Sequence, residues 1–277
     1  MKYLLARTSI HNLENRLSKA RRVFLFLDYD GTLTSIRKAP DLALLPSSVR
    51  EVLRELSSLS GIILTIISGR ALKEIQKQVD LDDLNYVGNH GLEMKAGFYQ
   101  DEIPQSNKIR KRMVSFSQEI KKRTREIPGI LIENKGLTLS IHYRLAKRNC
   151  LGKLKEIASF ILSPFAKDYN LREGKKVLEI VPAVRRDKGW AVDRISHLFK
   201  SKLKSDALYF YFGDDLTDED GFGQTNLNKG YSVLVGGNKT CSKARYYLRS
   251  PNEVRLFLGW LVKILVGKQR RNSEYLD

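Results

Sequence analysis

Two aspartates set two residues apart at the end of a greasy run are the most chemically suggestive feature of this sequence. In FLFLDYDGTLTS, residues 24–35, Asp28 and Asp30 follow an apolar stretch and precede Gly31 and Thr32. Like charges this close repel, and a buried carboxylate is costly to ionise. A metal, a basic partner or plain solvent has to offset that cost. A second acidic knot, Gly213-Asp214-Asp215-Leu216-Thr217-Asp218-Glu219, follows the apolar run Leu208–Phe212. A third polar group, Ser68-Gly69-Arg70, ends the run Ile62–Ile67. Each group alone could cap a turn or a helix start. Gathered in one place, four or five carboxylates need a cation. An all-oxygen set without cysteine or histidine favours a hard ion, Mg²⁺ above others.

The elements that would gather them are legible in outline. Val23–Leu27 is continuously apolar, as a strand covered on both faces must be. Pro46–Leu59 carries Val49, Val52, Leu53 and Leu56 on one helical stripe. Ile62–Ile67 is a second buried strand, Ala71–Val79 a short helix, and Tyr86-Val87 a strand running into Gly88-Asn89-His90-Gly91. Later, after Lys188, Gly189–Phe199 is a helical stretch with apolar Trp190, Ala191, Ile195 and Leu198. Leu208–Phe212 and Tyr231–Val235 then read as strands. This alternation predicts an α/β fold, a Rossmann-like open parallel sheet with helical crossovers. In such sheets ligands bind beyond the carboxyl ends of the strands, where the three polar groups fall.

The middle of the chain follows another pattern. Ile109–Ile127 is a long basic helix, and two strands, Leu131–Lys135 and Leu137–Tyr143, flank a turn at Lys135-Gly136. Leu137, Leu139, Ile141 and Tyr143 alternate with Thr138, Ser140 and His142, which predicts one buried and one wet face. A helix over Leu151–Phe165, a turn at Glu173-Gly174 and a strand over Lys176–Val181 complete an inserted α+β domain. The expected division is core over 1–104, insert over 105–184 and core again over 185–277. Hinges fall in Gly97–Asn107 and Pro182–Asp187.

Composition sets the class. The chain has 277 residues, 42% hydrophobic and 29% charged, as an ordinary globular protein has. Its only cysteines, Cys150 and Cys241, make neither a disulfide framework nor a zinc site and suit a reducing cytoplasm. The apolar patch in MKYLLARTSI is too short for a signal peptide. Leu256–Val266, broken by Gly259 and Lys263, reads as a terminal helix covering the core, with a membrane-surface helix as the alternative; membrane insertion is not expected. The net charge of +18 draws anions: phosphorylated substrates, nucleic acid or acidic lipid. Its local knots, Lys19–Arg22, Lys108–Arg112, Lys121–Arg125 and Lys268–Arg271, lack the interleaved aromatics of a single-strand groove.

The set Asp-x-Asp-Gly-Thr after a strand, Ser68 at the next strand end, a later Lys188 and Gly-Asp-Asp resembles the haloacid dehalogenase (HAD) superfamily of phosphatases. DYDGTL, ISGR, GNHGLE, ENKGLTLSIHYR, GKKVLEIVP with DKG, and GDDLTDED narrow the resemblance to trehalose-6-phosphate phosphatases. It spans most of residues 22–260. The resemblance implies a HAD-like core and a cap that closes over the sheet edge. It implies Mg²⁺-dependent hydrolysis of trehalose 6-phosphate, in trehalose biosynthesis, through an aspartyl-phosphate. Asp28 is then the nucleophile and Asp30 the acid and base. The backbone of Tyr29, with Ser68, Gly69 and Lys188, binds the phosphoryl group, while Thr32 fixes the turn. Asp28, the carbonyl of Asp30, and Asp214 hold the metal. Asp215 and Asp218 stand as second choices, through water or as orienting groups. On the insert, Glu133, Lys135, Arg144 and Glu179, with His142 beside them, would choose the sugar, and His90 could line the mouth. One departure is Asp220-Gly221-Phe222-Gly223, glycine-richer than the usual continuation, which would loosen the metal loop.

Two alternatives belong beside this reading. One is another sugar-phosphate phosphatase or a phosphosugar mutase on the same fold. The other is a basic nucleic-acid-binding protein on an inactive scaffold, against which the intact acid set argues. The expected partner is therefore a small sugar phosphate.

Overall fold

A computed structural model describes residues 1–37, 42–147, 150–174, 176–199, 207–237 and 241–274, with side chains as far as residue 270. From the amino end come β1 (Lys2–Tyr3), α1 (Arg7–Lys19), β2 (Arg22–Asp28), α2 (Ser47–Ser58) and β3 (Ile62–Ile67). There follow α3 (Leu72–Val79), β4 (Asn85–Gly88), β5 (Glu93–Ala96) and β6 (Tyr99–Glu102). The middle holds α4 (Ser106–Thr124), β7 (Leu131–Asn134), β8 (Leu139–His142), α5 (Cys150–Leu162), β9 (Tyr169–Gly174) and β10 (Val177–Pro182). The chain ends with α6 (Lys188–Phe199), β11 (Ala207–Gly213), α7 (Glu219–Leu227), β12 (Tyr231–Val235), β13 (Tyr246–Leu248) and α8 (Pro251–Glu274).

The molecule divides into two compact units, residues 1–100 with 186–277, and residues 101–185. In the first unit the strand order β1-β13-β12-β11-β2-β3-β4-β5-β6 makes one nine-stranded sheet. Its centre is parallel: β11 pairs β2, β2 pairs β3 and β3 pairs β4 in the same direction, while β5 turns back against β4. The neighbours β11, β2 and β3 thus end side by side, and the three polar groups meet at one edge. Both faces of the sheet are covered. Leu25, Leu27, Phe210 and Phe212 face the layer that includes α2 and α8, and Phe24, Phe26, Tyr209 and Tyr211 face the layer that includes α6 and α7. This two-sided burial is why the strands read as unbroken apolar runs.

Helix α8 presents Val254, Phe257, Leu258, Leu261 and Leu265 to the core, at helical spacing. It is the covering helix anticipated at the carboxyl end. Among the described residues, no helix is long and apolar enough to cross a membrane. One expectation for α6 fails: Ala191 and Ile195 are buried, but Leu198 is exposed, one residue before the helix ends.

The second unit holds the four-stranded antiparallel sheet β7-β8-β10-β9, with α4 and α5 packed on one face. Met113, Phe116 and Ile120 of α4 and Leu154, Ala158 and Ile161 of α5 are buried. The alternation along β8 marks two faces, but Thr138 and Ser140 are fully buried rather than wet. The Glu179 side chain takes the Ser140 hydroxyl, as described below. The turn placed at Glu173-Gly174 does not fall there, because β9 runs to Gly174 and pairs along its whole length with β10. Lys175, in the GKKVLEIVP segment, and the side chain of Arg271, in the last basic knot, lie outside the described residues.

Candidate active site

The site begins at the end of β2. Asp28 closes the strand and is almost wholly buried. The next carbonyl, that of Tyr29, accepts from the amides of Leu33 (3.0 Å) and Thr34 (3.1 Å), so the chain folds back tightly. Gly31 has φ +92°, and a Cβ there would lie 2.5 Å from the carboxylate of Asp214. Glycine is required at this position for both reasons. The Tyr29 side chain points into the core and donates to the Ala43 carbonyl at 2.8 Å, which leaves only its backbone for a ligand. Thr32 is buried in the turn.

Lys188, the first residue of α6, is buried and lies between two carboxylates. Its Nζ donates to Asp28 Oδ1 at 2.8 Å and to Asp218 Oδ1 at 2.6 Å. Burial works against its charge, but Asp218 and Asp28 more than offset that and raise its pKa well above the ordinary lysine value. Lys188 stays protonated. Asp28 is pushed up by burial, pulled down by Lys188, and pushed up again by Asp218, Asp214 and Asp215. One lysine does not balance that many acids.

One carboxylate oxygen from each of Asp28, Asp214 and Asp218 lies within 4.8 Å of the others, and all three residues are buried. The Oδ2 atom of Asp28 is buried with no hydrogen-bond partner. An orphaned carboxylate oxygen in an acidic cluster fits a cation-binding role, and oxygen ligands suit Mg²⁺. Asp218 has both oxygens engaged. Its Oδ2 accepts from the backbone amides of Asp214 (3.0 Å) and Asp215 (3.1 Å), and its Oδ1 from Lys188 and Tyr211. It orients the loop. Asp215 caps the short 3-10 turn Leu216–Asp218, accepting from the amide and hydroxyl of Thr217. Burial raises its pKa, but Lys188, Thr217 and His90 more than reverse this, and the net shift is downward.

Asp30 points elsewhere. Its two oxygens accept from Arg70 Nε at 2.7 Å and Nη2 at 2.8 Å, and Arg70 also pairs with Glu74 one helical turn on. Arg70 is 4% exposed and lies over the Tyr29 ring. Burial lowers its pKa, yet Asp30 and Glu74 bring the net shift upward. Arg70 stands in the third polar group of the sequence but without a role; its charge just after a buried strand was the available signal.

The Ser68 loop is braced from β4. The Ser68 amide donates to Val87 O, the His90 amide to Ser68 O and the Asn89 amide to Arg70 O. Glu93 Oε1 accepts from the Leu72 amide at 2.6 Å and from Asn89 Nδ2 at 2.8 Å, so GNHGLE is a brace for α3 and the loop. The His90 ring lies on Gly69, where a Cβ would stand 2.5 Å from it. Ser68 Oγ accepts from the Arg70 amide at 3.1 Å, which leaves its own proton to give.

With this geometry in hand, the comparisons are decisive. A sequence model described as trehalose-phosphatase matches residues 26–252. The chain belongs to the trehalose-phosphatase family. It is 30% identical over 259 residues to trehalose-phosphate phosphatase B of Arabidopsis thaliana, spanning 89% of this chain and 68% of that one. It is 31% identical over 256 residues to the probable trehalose-phosphate phosphatase C of the same plant, spanning 90% and 79%. Among solved structures, the C-terminal domain of C. albicans trehalose-6-phosphate phosphatase superposes with a TM-score of 0.79 at 26% identity, covering 95% of this chain and 98% of that one. The fold is that of HAD phosphatases.

Two features of this trehalose-phosphatase differ from expectation. Gly221 does not loosen the metal loop. A Cβ there would lie 2.3 Å from the Tyr211 ring, so the glycine permits tight packing. On the second unit, the expected sugar-reading residues separate into pairs. Cross-strand register puts Glu133, Ser140, Glu179 and Arg172 in one row. Lys135 Nζ (3.2 Å) and Ser140 Oγ (2.9 Å) both donate to Glu179 Oε1, and His142 Nε2 meets Glu133 Oε2 at 2.7 Å. Arg144 is exposed beyond the end of β8. Arg172 was missed because β9 is too short and polar to show a period.

Proposed function

We propose that this trehalose-phosphatase hydrolyses trehalose 6-phosphate through an aspartyl-phosphate on Asp28, with Mg²⁺ as cofactor. The observation that carries this reading is Asp28 itself. One of its oxygens is fixed by Lys188, and the other is buried without a partner beside Asp214.

An Asp28 oxygen attacks phosphorus as the bond from phosphorus to the sugar oxygen breaks. Asp30 gives that oxygen a proton. Asp30 then takes a proton from water, the water oxygen attacks phosphorus, the Asp28–phosphorus bond breaks, and phosphate leaves. Two easier displacements replace one hard one. Lys188 and the Ser68 hydroxyl steady the phosphoryl oxygens, joined by the backbone of Tyr29 and Gly69. Phosphoryl transfer depends mainly on such positioning and charge neutralisation. Asp28, Asp214 and the Asp30 carbonyl, with Asp215 and Asp218 behind them, would hold Mg²⁺, which would supply positive charge to the transferred group. Arg70 fixes where the Asp30 carboxylate rests.

The second unit reads the sugar. Glu133 with His142, and Glu179 with Lys135 and Ser140, offer paired donors and acceptors of the kind sugar hydroxyls need, with Arg144 at their edge. Cytoplasmic work suits the paucity of cysteines. The test is phosphate release from trehalose 6-phosphate against a panel of other sugar phosphates, with and without Mg²⁺. Rapid release from trehalose 6-phosphate alone, with Mg²⁺ required, is expected. Equal release from every sugar phosphate would remove the substrate assignment and leave the chemistry standing.

A further inference from the structure

Tyr211 lies in β11, two residues before Gly213, fully buried on the α7 side of the sheet. Its ring stands edge-on to Phe222 of α7, with centroids 5.5 Å apart, and stacks loosely on Phe26 at 6.4 Å. The gap at Gly221 lets it in. Another close approach fixes α6 against the start of α7: a Cβ at Gly189 would lie 2.7 Å from the carbonyl of Asp220. Packing of this kind leaves the phenol one position, from which its hydroxyl donates to Asp218 Oδ1 at 2.8 Å.

That oxygen is the one Lys188 also uses. The other oxygen of Asp218 holds two amides of the Asp214 loop. Lys188 therefore chooses between two acceptors, Asp218 Oδ1 and Asp28 Oδ1, in a dry setting where small changes in acceptor charge matter. We propose that Tyr211 is a positioning residue of the phosphatase: by sharing Asp218 Oδ1 it keeps Lys188 on Asp28. A second donor on one carboxylate oxygen weakens that oxygen's pull on the ammonium. Without the phenol, Lys188 moves toward Asp218, and Asp28 loses the contact that aims its free oxygen. Buried away from solvent, Tyr211 acts only through Asp218 and Lys188. Its loss should fall on turnover and not on substrate binding.

This inference rests on Asp28 being the nucleophile, and the test separates the two. Asp28→Asn, Tyr211→Phe, Gly221→Ala and the Tyr211/Gly221 double variant would be assayed on trehalose 6-phosphate with Mg²⁺, with thermal unfolding in parallel. Tyr211→Phe keeps the ring and should lower kcat about tenfold, as a displaced catalytic group does, with KM within about twofold. Gly221→Ala, which pushes the ring off Asp218, should lower kcat in the same sense. The double variant should fall no further than Tyr211→Phe, since both act through one hydroxyl. An inactive Asp28→Asn beside a Tyr211→Phe of wild-type kcat overturns the inference and spares the nucleophile. A raised KM at unchanged kcat, or multiplicative effects in the double variant, also overturns it. An active Asp28→Asn overturns both. If Tyr211→Phe does not fold, Gly221→Ala decides: lowered kcat at constant KM supports the role, and unchanged kcat ends it.

Discussion

Lys188 in the first unit is 3% exposed between two carboxylates, while Lys135 in the second is 10% exposed on Glu179, and the His142–Glu133 pair keeps about a quarter of its surface. The first group lies where strands end and helix α6 begins, the second on a sheet, and both pair cations with acids. They differ in how tightly each charge is tied. Asp218 takes four hydrogen bonds and Lys188 spans two acids, so neither can move without stranding a buried charge. Glu179 takes two donors on one oxygen. A group that performs chemistry on a fixed phosphorus gains from rigidity, whereas a face that reads hydroxyls gains from partners it can exchange.

The sharpest way to break this contrast is at Asp28. Asp28→Asn should keep the fold and reduce phosphate release by at least about 10⁴-fold, as loss of a nucleophile does. Circular dichroism together with a phosphate assay would check it. Lys188→Met should lose about 10²–10³-fold in kcat. It also leaves buried acids without their cation, so destabilisation of about 3–5 kcal/mol is expected, read by urea titration. Lys135→Met, at the looser pair, should cost about 1 kcal/mol or less. Equal costs at the two lysines would erase the distinction.

The metal sharpens it further. Burial, and Asp218, Asp214 and Asp215 against Lys188, hold the Asp28 pKa up in the metal-free chain. If Asp28 holds Mg²⁺, the ion must therefore displace a proton as pH falls. Below that raised pKa, the Mg²⁺ concentration for half-activation should rise about tenfold per pH unit, and above it the concentration should level off. A titration of activity against Mg²⁺ at several pH values measures this. A flat dependence would mean that Asp28 does not bind the ion.

On the second unit, Glu179→Gln should raise KM for trehalose 6-phosphate by about tenfold and leave hydrolysis of p-nitrophenyl phosphate unchanged. Loss of both activities would move Glu179 into the chemistry and dissolve the division of labour.

The same contrast explains what could be read in advance. Strands β2, β3 and β11 are covered on both faces, so each is an unbroken apolar run, and chemistry at their ends stood out as polar residues no core requires. Short strands that are polar or only partly buried carry too little pattern. Strands β1, β5, β6, β9 and β13 went unread for that reason, and with β9 went Arg172. Helix α1 hid because only Leu13, Leu17 and Ser9 are buried along it. The partnership of Asp30 with Arg70 joins residues 40 positions apart, and no local spacing encodes it. Gly221 misled because a glycine reads as slack, and only packing shows that a ring fills the space.

The smallest expected effect concerns charge. Residues 101–185 hold nineteen lysines and arginines against nine aspartates and glutamates, so ten of the eighteen net positive charges lie in the smaller unit. Lys108, Lys111, Lys121 and Lys122 are exposed on α4. If this charge serves to draw in an anionic substrate, it acts at long range and is screened within about 10 Å at 0.1 M salt and 3 Å at 1 M. Changing those four lysines to glutamine should lower kcat/KM a few-fold at low salt, leave kcat alone, and converge with wild type at high salt. Persistence of the deficit at high salt would show that α4 makes short-range contacts, and the loosely tied unit would then carry a second fixed site of its own.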